Sequence, residues 1–193
     1  MDDAQIRALR VGDTVTLHGT LFGVRDATLI HMFDRDRRSR FDMRGHAVIH
    51  TAPNVVRVPV SDDYPAGYRQ VCVGTTTSAR MERFTRPLME QYGVRVVIGK
   101  GGLLEDSQAA FAEFGGVYLA IIGGAAALET TWIDAIEDVD LDDLHPESLW
   151  RFRISGFGPL LVAMDTHGNS HYNRVRDAAR SRRDQVLASL KDR

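Results

Sequence analysis

Three short apolar runs, each cut off by a turn of small residues and followed by helical periodicity, restrict this chain more than any other feature. They are residues 70–73 before Gly74-Thr75-Thr76-Thr77-Ser78, residues 94–98 before Gly99-Lys100-Gly101-Gly102, and residues 117–122 before Gly123-Gly124-Ala125-Ala126. The runs at 94–98 and 117–122 are nearly continuous in apolar side chains, the pattern of strands covered on both faces. Strands that alternate with helices form parallel sheets, and all strand-to-helix junctions of such a sheet lie along one edge, where α/β proteins bind ligands. Glycine permits close backbone approach, and the free N–H groups of a helix start attract anions. Three such junctions together predict a pocket for a small anionic molecule.

Strands are also expected at 14–18, 46–50, 55–60, 151–154 and 160–164, and helices at 78–92, 105–114, 125–137 and, as a charged amphipathic tail, 173–193. The expected fold is α/β, with a partly parallel central sheet flanked by helices and extra strands from both ends. The 193 residues suffice for a single domain with its own core. The stretch 34–44, rich in arginine and aspartate, reads as a solvated loop, and 52–68, with Pro53, Pro59 and Pro65, as connecting loop.

Composition removes several function classes. Lys and Arg number 24 against 26 Asp and Glu, so bulk charge gives no reason to expect nucleic acid or a membrane surface as partner. No run approaches the ~20 apolar residues of a membrane span, and residues 1–10 lack the pattern of a secretory signal. A cytoplasmic protein is expected. Cys72 is the only cysteine, which excludes a disulfide framework and any zinc or iron-sulfur site built from this chain's own thiolates. No histidine spacing matches a zinc motif, so no metal ligand is assigned to this chain.

Each junction also has a plain structural explanation. Threonine and serine at a helix start are ordinary N-caps. Arg80, however, falls in the first helical turn, the wrong end for a cation unless it binds something, and a carboxylate gripped in bidentate fashion is a good reason. Neither GxxxxGK[ST] nor GxGxxG is present, which weakens a nucleotide-binding reading. Lys100 and Lys191 are the only lysines among 24 basic residues. In a chain that otherwise uses arginine, Lys100 points to a place that needs a compact, flexible ammonium.

Seven segments, read in order, resemble one family: RVGDTVTLHGTLFGVRDA (10–27), HTAP (50–53), VGTTTSARM (73–81), VVIGKGG (96–102), GGAAAL (123–128), PESLW (146–150) and FGPLLVAMDTHGN (157–169). The family is the β subunit of the iron-sulfur-dependent hydro-lyases, class I fumarate hydratase and L(+)-tartrate dehydratase. The resemblance implies a swivelling β/β/α domain. It further implies reversible addition or removal of water on a small 2-hydroxy dicarboxylate, malate/fumarate or tartrate/oxaloacetate, and a 4Fe-4S cluster carried by a partner α subunit, in a heterodimer or α2β2 assembly.

Carried over by position, the resemblance makes Arg25 a substrate-carboxylate ligand, Thr76 the base at the carbon that loses its proton, and Arg80 and Lys100 the holders of carboxylate oxygens. Lys100 is counted with Thr76 as catalytic. A threonine hydroxyl is a poor base unassisted, so an acidic group, expected on the α subunit, must take the proton. The chain departs from the family at Leu29, where a histidine is usual, at Thr75 in place of proline, and at Ala52 in place of glycine. An alternative reading keeps the pocket and drops the chemistry: a non-catalytic dicarboxylate-binding module of the same fold.

Overall fold

The computed structural model describes residues 2–191. In chain order the elements are α1 (Asp3–Ala8), β1 (Thr14–Val24), α2 (Asp26–Phe33), β2 (Ala47–His50), β3 (Asn54–Arg57), β4 (Tyr68–Cys72), a 3-10 helix (Ser78–Phe84), α3 (Thr85–Tyr92), β5 (Val96–Gly99), α4 (Glu105–Phe114), β6 (Val117–Ala120), α5 (Ala126–Thr131), β7 (Ile133–Asp140), a 3-10 turn (Asp142–Leu144), β8 (Leu149–Met164) and α6 (His171–Lys191). The fold is mixed α/β. Strands β1, β2, β5 and β6 are parallel neighbours in that order. Strand β8 then runs antiparallel to β6 along one edge and to β1 along the other, so the pairing closes into a ring. Leu161 marks the closure, paired to Ala120 of β6 and to Thr14 of β1.

Alternation along the strands divides their side chains between two cores. Ala47, Ile49, Val96, Ile98, Val117 and Leu119 pack with Trp150, Phe152, Phe157 and Val162 inside the ring. Val48, Val97 and Tyr118, one position out of phase, pack outside it against Leu29, Leu88, Met89 and Phe111 of the helices. Both faces of these strands are thus covered, as their unbroken apolar runs predict.

Several expected elements differ. The helix expected at 125–137 stops at Thr131, and Ile133–Asp140 is a strand paired to β8. The Ala-rich start favours helix, but Ile133, Ala135 and Ile136 are buried against the sheet, and pairing to the long β8 decides the outcome. The strands expected at 151–154 and 160–164 are one strand of 16 residues. Gly156 and Gly158 suggest a break, yet they let β8 bend without leaving the sheet: Gly158 has φ +147°, and a Cβ there would lie 2.7 Å from the Val15 carbonyl oxygen. The helix expected at 78–92 opens as a 3-10 helix before becoming α3. The tail helix begins at His171; residues 192–193 of the expected span lie outside the described residues.

The 34–44 stretch is a largely exposed loop, as expected, but it is fastened to the rest of the fold. Arg37 grips Asp143 through two bonds of 2.7 and 2.6 Å, and Arg40 grips Asp138 at 2.8 and 2.6 Å. Ser39 Oγ and the Arg40 amide both donate to Asp140. The Arg40 hydrogen bonds hold the Asp138 carboxyl below the usual carboxylate range. Arginines from one loop therefore zip onto the acidic end of β7 and the 3-10 turn that follows it, a pairing that no local reading of either segment contains.

Gly99, the last residue of β5, is required by close approach: a Cβ there would fall 1.8 Å from Ser78 Oγ. Gly99→Ala is expected to destabilise the chain by about 1–3 kcal/mol through this overpacking, measured as a lower urea midpoint at unchanged slope. An unchanged midpoint would show that Ser78 can move aside freely.

Candidate active site

The Gly74–Ser78 turn does not continue a strand of the main sheet, since β4 pairs only with β3 in a two-stranded hairpin. It lies instead across the C-terminal end of β2. The Thr76 amide donates to the His50 carbonyl at 2.8 Å, and Thr51 Oγ1 donates to the Gly74 carbonyl at 2.8 Å. On its other side the turn meets the end of β5, where the Ser78 amide donates to the Lys100 carbonyl at 3.0 Å and Thr77 forms a parallel bridge with Lys100. Two of the three glycine junctions are thereby fastened together, with Thr76 and Lys100 on adjacent backbone.

Arg80 closes the arrangement toward β1. Its Nη2 donates to Thr76 Oγ1 at 3.1 Å and to Asp26 Oδ2 at 2.7 Å. The same Asp26 oxygen lies 3.7 Å from Arg25 Nε, and Glu147 Oε1 lies 3.3 Å from that nitrogen. Despite this proximity, Arg25 Nε is buried and, among the described residues, makes no hydrogen bond of good geometry. A buried guanidinium donor in this state suits a carboxylate acceptor. The structure therefore gathers Arg25, Thr76 and Arg80 through one carboxylate, Asp26, and joins Lys100 to them through the turn.

Sequence reasoning missed the residues that hold these groups. Asp26 has no role assigned from sequence, yet it sits between two guanidinium groups. Glu147 lies within PESLW, a motif with no role assigned from sequence. Its carboxylate accepts from the Ala27 amide at 2.7 Å and so caps α2, for which Arg25 at the N-cap position makes no side-chain cap bond. One glutamate thus fixes both the helix start and the arginine beside it.

Beneath the turn runs a buried polar chain. His50 Nδ1 and Ser78 Oγ are 2.9 Å apart, and Ser78 Oγ and the Tyr118 hydroxyl are 2.9 Å apart. Burial lowers the His50 pKa to about 4, opposed by the Asp26 charge, so the imidazole is neutral at pH 7. Burial also raises the Tyr118 pKa. The chain is a neutral support that adds no charge under the cationic edge.

Thr76, Arg25 and Lys100 are half-buried and Arg80 is exposed, so the edge is an open surface and not an enclosed pocket. A cavity of about 320 Å³ at the opposite end of the parallel strands, lined by His18, His46 and Val96, contains none of the four. Among the described residues no group of three or more His, Cys, Asp or Glu is placed to hold a metal ion. Cys72, on β4, is half-buried and unpaired. The residues of this chain do not fit an iron-sulfur cluster.

Residues 1–175 match the family model described as Fumarase C-terminus. The L(+)-tartrate dehydratase subunit beta of Escherichia coli (strain K12) is 36% identical over 186 residues, 96% of this chain and 90% of that protein. A Methanocaldococcus jannaschii protein provisionally named L(+)-tartrate dehydratase subunit beta is 35% identical over 88% of this chain and 87% of its own length. A Geobacillus stearothermophilus protein provisionally named fumarate hydratase class I is 37% identical over 90% of this chain but only 32% of its own length, so there the same unit is part of a longer polypeptide. With the glycine junctions, the arginine pair and the lysine in one arrangement and the family model spanning nearly the whole chain, the chain belongs to the Fumarase C-terminus family.

Proposed function

We propose that this chain is the β subunit of a hydro-lyase that reversibly adds or removes water on a small 2-hydroxy dicarboxylate, malate/fumarate or tartrate/oxaloacetate. The observation that carries the reading is the double contact of Arg80, which ties the Thr76 hydroxyl to a guanidinium held by Asp26. This sets a group that can handle a proton beside groups that can hold a carboxylate. Arg25 and Arg80 take carboxylate oxygens through N–H groups not spent on Asp26, and Lys100 supplies the third cation.

The proton is removed at the carbon facing Thr76 Oγ1. Donation by Arg80 to that oxygen stabilises it when it carries negative charge, as hydrogen bonding to a charged form does generally. Thr76 still requires a stronger base, and the proposed source is an acidic side chain of an α subunit. The names of the relatives include a subunit beta, which supports a two-subunit assembly, either a heterodimer or α2β2. With one cysteine and no metal-binding group of its own among the described residues, this chain leaves a 4Fe-4S cluster to that partner.

The rim of the edge is apolar and exposed, with Leu104 at 53%, Ile122 at 78% and Leu128 at 54% exposure. Leu104 and Ile122 stand on the loops after β5 and β6, and Leu128 stands on α5; covering these side chains is the proposed role of the α subunit. The swivelling of a single β/β/α domain over the substrate and a cytoplasmic location complete the proposal. No helix among the described residues is long and apolar enough to cross a membrane.

The chain alone is expected to be colourless and inactive, and to gain hydro-lyase activity when mixed anaerobically with its α subunit. Measurable turnover by the isolated chain, or iron and acid-labile sulfide bound to it, contradicts this division of labour.

A further inference from the structure

The most unusual buried group lies behind the site. Glu129, on α5, is 1% exposed, and among the described residues all the hydrogen bonds of its carboxylate go to one residue, Thr75. Its Oε2 accepts from the Thr75 amide at 3.0 Å, and both carboxylate oxygens lie 3.1 Å from the Thr75 hydroxyl. The next residue, Thr130, accepts from the Val73 amide at 2.8 Å. Consecutive side chains of α5 therefore bind the amides on both sides of Gly74. Gly74 itself has no room for more, since a Cβ there would lie 2.7 Å from Ala126 Cβ of the same helix.

Burial raises the Glu129 pKa, opposed by the Thr75 hydrogen bonds and by the charge of Lys100. Lys100 extends toward this helix: its Cδ lies 3.3 Å from where a Cβ on Gly123 would stand, in the loop that leads into α5. One carboxyl group thus meets the turn that carries Thr76, within reach of the charge of Lys100.

We propose that Glu129 is a positioning residue for the proposed hydro-lyase site, holding the Thr75–Thr77 turn from behind so that Thr76 and Lys100 keep their relative placement. The inference rests on the reading of Thr76 and Lys100 given above. A carboxylate suits this task because a single buried group can accept both the amide and the hydroxyl of Thr75, leaving neither donor unpaired.

The test has two parts that fail separately. In the anaerobically assembled enzyme, Glu129→Ala and Thr75→Val are each expected to lower kcat about tenfold or more with KM changed by less than threefold. The Thr75→Val/Glu129→Ala double variant should be no worse than Glu129→Ala alone, because Glu129→Ala already removes the hydroxyl contact that Thr75→Val loses. Glu129→Gln keeps a carbonyl acceptor for the Thr75 amide and is expected to recover most of the loss. Additive losses, or a Glu129→Ala enzyme within twofold of wild type, overturn the proposal.

Amide hydrogen exchange on the isolated chain gives the second part without any need for activity. Glu129→Ala should speed exchange about tenfold or more at Thr75, its direct partner, and also at Thr76, whose amide bonds His50. Faster exchange at Thr75 alone means that Glu129 does not hold the turn. A wild-type assembly that turns over no dicarboxylate instead sinks the hydro-lyase reading, and the exchange result still decides whether Glu129 positions the turn.

Discussion

Thr76→Val is expected to lower turnover of the assembled enzyme by roughly 10²–10⁴-fold, the range contributed by a positioned acid-base group. The substitution is nearly isosteric and removes only the hydroxyl. That hydroxyl makes one side-chain contact, with Arg80, while the Thr76 amide stays bonded to the His50 carbonyl. The turn should therefore keep its shape, and stability should change by less than about 1 kcal/mol, as for a half-exposed position away from the core. The loss should fall on kcat, with KM close to wild type, because the residues proposed to hold the carboxylates are untouched. Steady-state kinetics beside a denaturation curve check both halves. A kcat within tenfold of wild type would remove Thr76 from the proton transfer.

Lys100→Arg is the second large effect, and it runs against the usual treatment of this exchange as conservative. Lysine occurs twice in the chain against 22 arginines, read directly from the sequence, so a positive charge alone does not explain its use at the end of β5. The structure supplies a reason: the Lys100 stem crosses close to Gly123, and a planar guanidinium is longer, more rigid and demands a different donor geometry. Displacing the charged head by about 1 Å can cost about 10²-fold in rate. We expect kcat/KM to fall by about that factor although the charge is kept. Near-normal kinetics would sink the argument from lysine scarcity.

Both predictions rest on residues that sequence alone selected, and the structure explains why these were legible. Thr76, Arg80 and Lys100 lie at strand ends or helix starts, where small residues and misplaced cations are visible locally. Their supports are not. Asp26 is 54 positions from Arg80, Glu147 is 122 from Arg25, Glu129 is 54 from Thr75, and nothing at either end of such a pair announces the other. The same distance effect hid parts of the fold. Apolar runs identified β5 and β6, but closure of the ring depends on β8 pairing with β1 and β6 at once, which is a property of three separated segments. β7 was masked by the alanine-rich start that forms α5, whose helix stops at Thr131 where pairing to β8 takes over. The arginine stretch at 34–44 is exposed as its composition suggests, but its ion pairing was hidden because the aspartate partners lie about a hundred residues away.

The departures from the family pattern also become interpretable. Thr75, in place of a proline, is half of a buried contact with Glu129, so the turn is held by hydrogen bonds from α5. Leu29 is fully buried in the outer core, so the position usually held by histidine here serves packing.

The most direct measurement of the central claim is steady-state kinetics of the chain assembled anaerobically with its α subunit, on malate, fumarate and both tartrate enantiomers. The account predicts turnover of at least one of these dicarboxylates, and its loss in Thr76→Val. Full assembly with no turnover of any of them would contradict it.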